Sequence, residues 1–278
     1  MKKIEFLKAL LIVLTSLFIL TNISANSKSL LLATTTSVDN TGLLNYLAPK
    51  FKKDTGTELK WVAVGSGKAL QLGRNCDADA LLVHDPVMER QYIKSSYGIK
   101  RTKIMYNDFI IIGPRNDPAK IKNKSVTNAL QNIAVKQAIF ISRGDNSGTN
   151  EKEKQLWQKA KINLLKKTTW YIQSGQGMMA TIYMAAEKHG YTLTDYGTFI
   201  KYAANYHNHP PLIILVQNDK ILFNQYSIIL VNPKHCKNVN IKLAEQFKNW
   251  LIAKPTQTTI ANYKLLNKHL FIPNANQQ

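Results

Sequence analysis

Four short stretches of this chain combine small hydroxyl residues with glycine: Thr34-Thr35-Thr36-Ser37, Gly65-Ser66-Gly67, Ser142 to Thr149, and Ser174 to Gly177. Each follows a short apolar run and leads into a segment with helical spacing, which places it between a strand end and a helix start. Helix N-termini expose unpaired backbone N–H groups and a partial positive charge. Glycine lets a ligand approach that backbone, and Ser and Thr hydroxyls add donors, so the chemistry on offer is capture of an oxyanion. One such loop carries little weight, because Ser, Thr and Gly are ordinary caps and turns. Four around a shared cleft would make a donor-rich pocket. Arg143 stands in the third loop. Its planar fork of donors suits an oxyanion, and its charge partly neutralises a dianion. The structural alternative is an ion pair with Asp145. Ser66 and Gln176 are candidate ligand-binding residues on this loop argument.

Other motifs fail on spacing. Gly65-Ser66-Gly67-Lys68 resembles the end of a phosphate-binding P-loop, but Val62 and Ala69 stand where that pattern needs Gly and Ser or Thr. In Gly144-Asp145-Asn146-Ser147-Gly148 the serine is one place late for a nucleophile elbow. His207 and His209 precede Pro210-Pro211 and read as a solvated loop, and His235 beside Cys236 lacks two further ligands at metal spacing. No resident metal or cofactor is expected. An exported hydrolase with a Ser or Thr nucleophile is the rival in another class. It needs a base beside the hydroxyl, and the four loops hold no histidine, with Lys68 just past one of them. The expectation is that the protein is not an enzyme.

The elements that must position these loops alternate. Strands are expected at Leu30–Thr34, Glu58–Val64, Ala78–Val83, Phe109–Gly113, Ile139–Ile141, Thr169–Ile172, Leu212–Val216 and Tyr226–Val231. Helices are expected between them and at the C-terminus, near Ile241–Ile252 and Thr256–Leu266. Asp39 is the expected N-cap of the helix that carries Leu43, Leu44, Leu47 and Phe51. The alternation argues an α/β fold with sites at strand C-termini. The strands arrive in two groups without a flexible linker, which suggests two lobes, with 107–113 and 225–231 as the crossings between them. The division expected is 26–110 with 226–278 as lobe 1 and 111–225 as lobe 2.

The chain has 278 residues, 45% of them hydrophobic, which excludes global disorder, and two cysteines, which excludes a disulfide scaffold. Cys76 and Cys236 either pair or stay free. Met1-Lys2-Lys3 and the apolar run from Ala9 to Leu20 precede a small-residue cleavage site. Residues 1–25 read as a secretory signal cut after Ala25, too short in its apolar part to span a membrane. No cysteine lies near that site to take a lipid, so a periplasmic protein is expected. The net charge is +20. The lysines are scattered, with no basic stripe carrying interleaved aromatics, so no nucleic-acid partner is expected, and the charge reads as composition with modest steering of a small anion.

ATTTS at 33–37, GSGKALQLGR at 65–74, DADALLVHDP at 77–86, MYNDFIIIGPRNDPA at 105–119, SRGDNSGTN at 142–150, YTLTDYGTF at 191–199 and NQYSIILVNP at 224–233 follow in order. Together they resemble the tungstate-binding proteins of bacterial ABC importers, from about Leu30 to near the C-terminus. The resemblance implies a type II periplasmic solute-binding fold: two lobes, each a central mixed sheet flanked by helices, joined by two strand crossovers. It implies a monomer that holds tungstate, with molybdate as a second ligand, and delivers it to an ABC permease in the inner membrane. Carried over by motif, the ligand residues are Thr34, Thr35, Ser37, Ser142, Arg143, Ser147 and Thr149. The chain has Ser66, Cys76, Met179 and Tyr196 where the family has Thr, Gly, a small residue and Arg. Phosphate-binding proteins of the same broad fold also pair an Arg with a Ser-Gly-Thr turn, so phosphate or another oxyanion is the alternative ligand.

Overall fold

The computed structural model describes residues 28–164 and 168–275; the proposed signal segment, 1–25, lies outside them. The first half runs β1 (Ser29–Thr35), α1 (Thr36–Asp39), α2 (Leu43–Thr55), β2 (Glu58–Val64), α3 (Ser66–Arg74), β3 (Ala80–Val83), α4 (Pro86–Lys94) and β4 (Gly98–Pro114). The middle runs α5 (Val126–Val135), β5 (Phe140–Ser142), α6 (Gly148–Lys159), β6 (Tyr171–Gln173), α7 (Met178–Glu187), β7 (Thr192–Asp195), α8 (Tyr196–Ala204) and β8 (Leu212–Val216). The chain then returns through 217–222 to β9 (Phe223–Val231), α9 (Ile241–Ile252) and α10 (Lys254–Ala261). It ends with a hairpin of β10 (Lys264–Leu265) and β11 (Lys268–His269), and with β12 (Ile272–Pro273).

The sheet is mixed, in the order β12-β4-β9-β3-β1-β2. β1 pairs in parallel with β2 and β3, while β9 lies antiparallel between β3 and β4. β1 is central and nearly all buried, Leu30, Leu32, Ala33, Thr34 and Thr35 among its covered residues, as a strand clad on both faces must be. One face carries α2, α9 and α10 through Leu43, Leu47, Phe51, Phe247 and Ile260. The other carries α3 and α4 through Ala69, Leu70 and Tyr92.

β4 joins the two halves. Up to Asp108 it pairs with β9; from Phe109 it pairs with β7, and from Ile111 with β8. The two faces of its far end alternate as strand geometry requires. Phe109 and Ile111 pack with Val126, Leu130, Ile133 and Trp157 of α5 and α6, and Ile110 and Ile112 pack with Ile182, Phe199 and Tyr202 of α7 and α8. The molecule is a two-lobed mixed α/β fold with two crossings, one inside β4 and one through 217–222; the second precedes the expected 225–231, because β9 from Phe223 onward already pairs within the first lobe's sheet.

Several expectations are corrected. Asp39 does not cap the helix of Leu43. The four-residue α1 intervenes, Gly42 precedes α2, and Asp39 Oδ1 instead accepts from Trp61 Nε1 at 2.7 Å. β4 begins eleven residues before Phe109, in a stretch whose Lys100, Arg101 and Lys103 hide it. Arg101 is accommodated there by an ion pair with the buried Glu89 of α4. β7 and α8 were not expected: Thr192, Thr194 and Asp195 are polar yet buried, so no hydrophobic run marks the strand. The last helix ends at Ala261, because the positive-φ pair Leu266-Asn267 turns the chain into the β10–β11 hairpin. Cys76 and Cys236 form a disulfide, Cα to Cα 5.3 Å, that ties the turn after α3 to the segment before α9. No helix among the described residues is long and apolar enough to cross a membrane.

Candidate functional site

A cavity of about 760 Å³ opens between the two lobes. It is much larger than a single tetrahedral anion, so it is a cleft with two walls. The first-lobe wall is made by the ends of β1, β2 and β3: Thr35, Ser37, Gly65, Ser66, Lys68 and His84 line it. Ser66 is buried, and its Oγ has no hydrogen-bond partner among the described residues. α3 starts here with Gly65 as N-cap and no side-chain cap, so its first N–H groups are open to an acceptor.

The second-lobe wall is built on the Arg143 loop. Arg143, Ser147, Gly148 and Thr149 line the cavity. The loop is folded by two left-handed residues, Gly144 (φ 62) and Asn146 (φ 55). At Gly144 a Cβ would also come within 2.7 Å of Gln173 Cβ, so position 144 admits only glycine. Backbone bonds zip this loop to its neighbour: Ser174 N donates to Ser142 O at 2.9 Å and Gly175 N to Arg143 O at 2.8 Å. Arg143 bonds Asp145 through one terminal nitrogen, and its Nε has no partner among the described residues. Asp145 Oδ1 also accepts from Ser147 N at 3.2 Å, so that carboxylate is occupied on both oxygens. Ser147 caps α6 by accepting from Asn150 N. Beneath the loop, buried Glu153 accepts from Tyr171 Oη at 2.7 Å and Trp157 Nε1 at 3.2 Å, and burial pushes its pKa up to about 7.

The structure thus brings six of the nine expected residues to the cavity wall: Thr35, Ser37, Ser66, Arg143, Ser147 and Thr149. The other three sit elsewhere. Thr34 is fully buried and its Oγ1 donates to Leu82 O at 2.9 Å, bracing β1 on β3. Ser142 is fully buried and its Oγ accepts from Asn150 Nδ2 at 3.2 Å. Gln176 is exposed beyond the cavity lining, although Gly177, Met178 and Met179 after it reach the wall and open α7 without a side-chain cap.

Four charged or titratable residues at the wall had no place in the loop reading. Asp195 ends the unexpected β7, and Thr198 and Lys201 come from the unexpected α8; Asp195 Oδ1 accepts from Thr198 N at 2.9 Å and Oδ2 from Thr198 Oγ1 at 2.7 Å. Asp195 is the N-cap of this fifth helix start, a role its residue type favours. Lys68 and Lys201 add cations to that of Arg143. His84 ends β3 with its ring against the cleft, and burial pushes its pKa below the ordinary histidine value.

Two lobes hinged on two crossings, with a polar cleft lined by helix N-termini, define a type II solute-binding protein. The PBP superfamily domain matches residues 21–255. The tungstate-binding protein TupA of Campylobacter jejuni is 49% identical over 239 residues, which are 86% of this chain and 88% of that protein. Among solved structures, tungstate-binding protein TupA from Desulfovibrio alaskensis G20 is 56% identical with a TM-score of 0.85, over 90% of this chain and 100% of that one. The tungstate ABC transporter structure from Geobacter sulfurreducens is 41% identical with a TM-score of 0.75, over 84% of this chain and 98% of that one. The chain belongs to the PBP superfamily and, within it, to the family of the TupA proteins.

Proposed function

We propose that this chain captures tungstate, with molybdate as a second ligand, and delivers it to an ABC permease. The observation that carries the reading is the set of unengaged donors on the cleft wall, beside carboxylates that are already taken. Both carboxylates on the wall, Asp145 and Asp195, have their oxygens engaged by protein donors. Among the described residues, Ser66 Oγ and Arg143 Nε are left without acceptors, and α3 and α7 open onto the cleft uncapped by any side chain. Tungstate and molybdate are fully deprotonated at neutral pH and only accept hydrogen bonds. Hydrogen phosphate keeps a proton and is best held by a carboxylate acceptor, and both carboxylates on this wall are already engaged. The tungstate-binding relatives and the transporter structure from Geobacter sulfurreducens support the ligand and the permease partner.

Thr35, Ser37, Ser66, Arg143, Ser147 and Thr149 are proposed to touch the anion, with Thr34 and Ser142 as struts behind them. The protein works in the periplasm as a monomer, without cofactor, and tungsten enters only as its oxyanion. The lobe division, expected at 110/111 and 225/226, is proposed to fall close by, where β4 changes partners between Asp108 and Phe109 and where β9 begins at Phe223. Titration calorimetry of residues 26–278 with tungstate, molybdate, sulfate and phosphate tests the reading. The two metal oxyanions should bind well above the other two, because a site spaced for the larger anions leaves smaller ones under-bonded. Phosphate or sulfate binding tighter than both would overturn it. Turnover of a phosphate or acyl ester that vanishes in Ser147→Ala would establish the hydrolase instead.

A further inference from the structure

We infer that His84 is the proton-linked member of this site: its free ring nitrogen, Nε2, donates to the bound oxyanion, and the dianion is captured together with a proton on that ring. The inference rests on the oxyanion reading above and adds a ligand group and a pH response to it.

The geometry starts from Asn224. Its Nδ2 donates to Asn107 Oδ1 and to Tyr226 Oη, each at 2.8 Å, so its carbonyl oxygen is the end turned to His84. His84 Nδ1 lies 2.8 Å from that oxygen and must be the donor. With Nδ1 protonated and spent, a neutral ring carries its lone pair on Nε2. His84 lines the cavity, so Nε2 is what the ring has to offer a ligand. A lone pair facing an anion is repelled, whereas an N–H⁺ is both a donor and a second charge beside Arg143. Protonation and anion binding therefore favour each other.

The ring's position is tightly set. It packs tilted against Tyr226, with centroids 4.9 Å apart and the ring planes at 40°. A Cβ built on Gly148 would lie 3.3 Å from His84 Cε1 and 3.1 Å from Ser66 Oγ, so ring and hydroxyl share the narrow seam where the two walls meet. The charged groups around it come from every side. Asp85, next in the chain, and Asp195 at the start of α8 favour the charged ring, and Arg143 across the cleft opposes it. Asn224, Asn107 and Tyr226 are uncharged neighbours. Burial outweighs these and keeps the ring neutral in the empty site at neutral pH. A dianion in the cleft adds charge of the sign that reverses this.

The sign of the pH effect follows. Affinity is flat above the bound-state pKa of His84, rises up to about tenfold per pH unit as pH falls between the bound and free values, and is flat again below. The test is calorimetry of the protein with tungstate from pH 5.5 to 8 in buffers of differing ionisation enthalpy. Uptake approaching one proton per anion is expected within that window, and its absence at every pH overturns the inference. His84→Asn keeps a donor for Asn224 but removes Nε2, and should abolish both the uptake and the slope. A slope that survives in His84→Asn would assign the proton to Glu89 or Glu153, each raised by burial to about 7, and overturn it equally. If that variant does not fold, ring nitrogen NMR of the unaltered protein decides. One of its six histidines should gain a proton on adding tungstate, and none doing so refutes the claim. Failure of tungstate to bind at any pH is a different result, and defeats the oxyanion reading itself.

Discussion

Ser66→Ala should move affinity and stability in opposite directions. In the structure the Ser66 hydroxyl is buried, lines the cleft and has no partner among the described residues. If it serves the anion, its removal forfeits one hydrogen bond to a charged group, about 1.5–3 kcal/mol, which is roughly a 10- to 150-fold rise in Kd. The empty protein meanwhile sheds a buried hydroxyl whose unmade bonds cost about 1–3 kcal/mol. The small void left in its place offsets part of that gain. A net stabilisation of about 1 kcal/mol would raise Tm by roughly 2–4 °C for a chain of this size. Alanine also suits the first position of α3 better than serine does. Calorimetry with tungstate reads the first effect, and thermal unfolding of the anion-free protein reads the second. Ser147→Ala is the contrast: Ser147 caps α6, so its loss should lower both affinity and stability, the latter by about 1 kcal/mol. An unchanged Kd in Ser66→Ala, or an anion-free protein that melts lower, would refute the assignment of Ser66 as a donor held in reserve for the ligand.

Arg143→Ala should weaken tungstate, molybdate, sulfate and phosphate alike, since it removes charge rather than shape. It also leaves Asp145 unpaired at the wall, so adding Asp145→Asn should recover part of the loss; intact tungstate affinity in the single variant would show that Arg143 is not the charge partner. Replacing Cys76 and Cys236 by alanine opens a closure of 160 residues. Loop-closure entropy puts the cost near 5 kcal/mol, and the disulfide lies past the end of α3 remote from the cleft. A lower unfolding midpoint with unchanged affinity is therefore expected, and a large change in Kd would contradict it. Glu153, raised by burial to about 7, keeps a proton when folded that an unfolded carboxylate gives up. Its contribution is full below the ordinary carboxylate pKa and is lost as pH rises through about 7. Glu153→Gln should then match the parent in urea at pH 4.5 and exceed it at pH 8, by on the order of 3 kcal/mol; equal stability at both pH values would refute the shift.

The loops that make the cleft were legible because their chemistry is local. Glycine and hydroxyl residues between a strand and a helix declare a helix start wherever the chain goes afterwards. The wall residue His84 was not legible as such. It reads as part of a cap before Pro86, and only the crossing of β3, β4 and β9 brings it to Asn224 and the cleft. Thr34 and Ser142 show the converse. Their types fit the ligand chemistry, but strand alternation turns their hydroxyls inward to Leu82 O and Asn150 Nδ2. β7 escaped because burial there is bought with hydrogen bonds rather than apolar area, and with it went α8 and the cleft residues Asp195, Thr198 and Lys201. The long charged half of β4 was unreadable until Glu89 and β9 supplied its partners.

The position of β9 sets the order in which the molecule can be completed. It lies between β3 and β4, yet β3 ends at Val83 and β9 begins only at Phe223. A chain emerging from its N-terminus presents β1, β2 and β3 with one side of that trio vacant. The basic near half of β4 likewise waits for its neighbour. Such distant pairing is slow, because the entropy of closing the intervening length is spent before contacts repay it. Cys236 follows β9, so the cross-link cannot form until the strand is in place. For a protein proposed to cross a membrane before it works, this delay keeps its first lobe open until β9 has passed. A chain truncated before Phe223 should therefore leave β1, β2 and β3 unprotected in hydrogen exchange, where a first lobe that assembled independently would show a protected sheet.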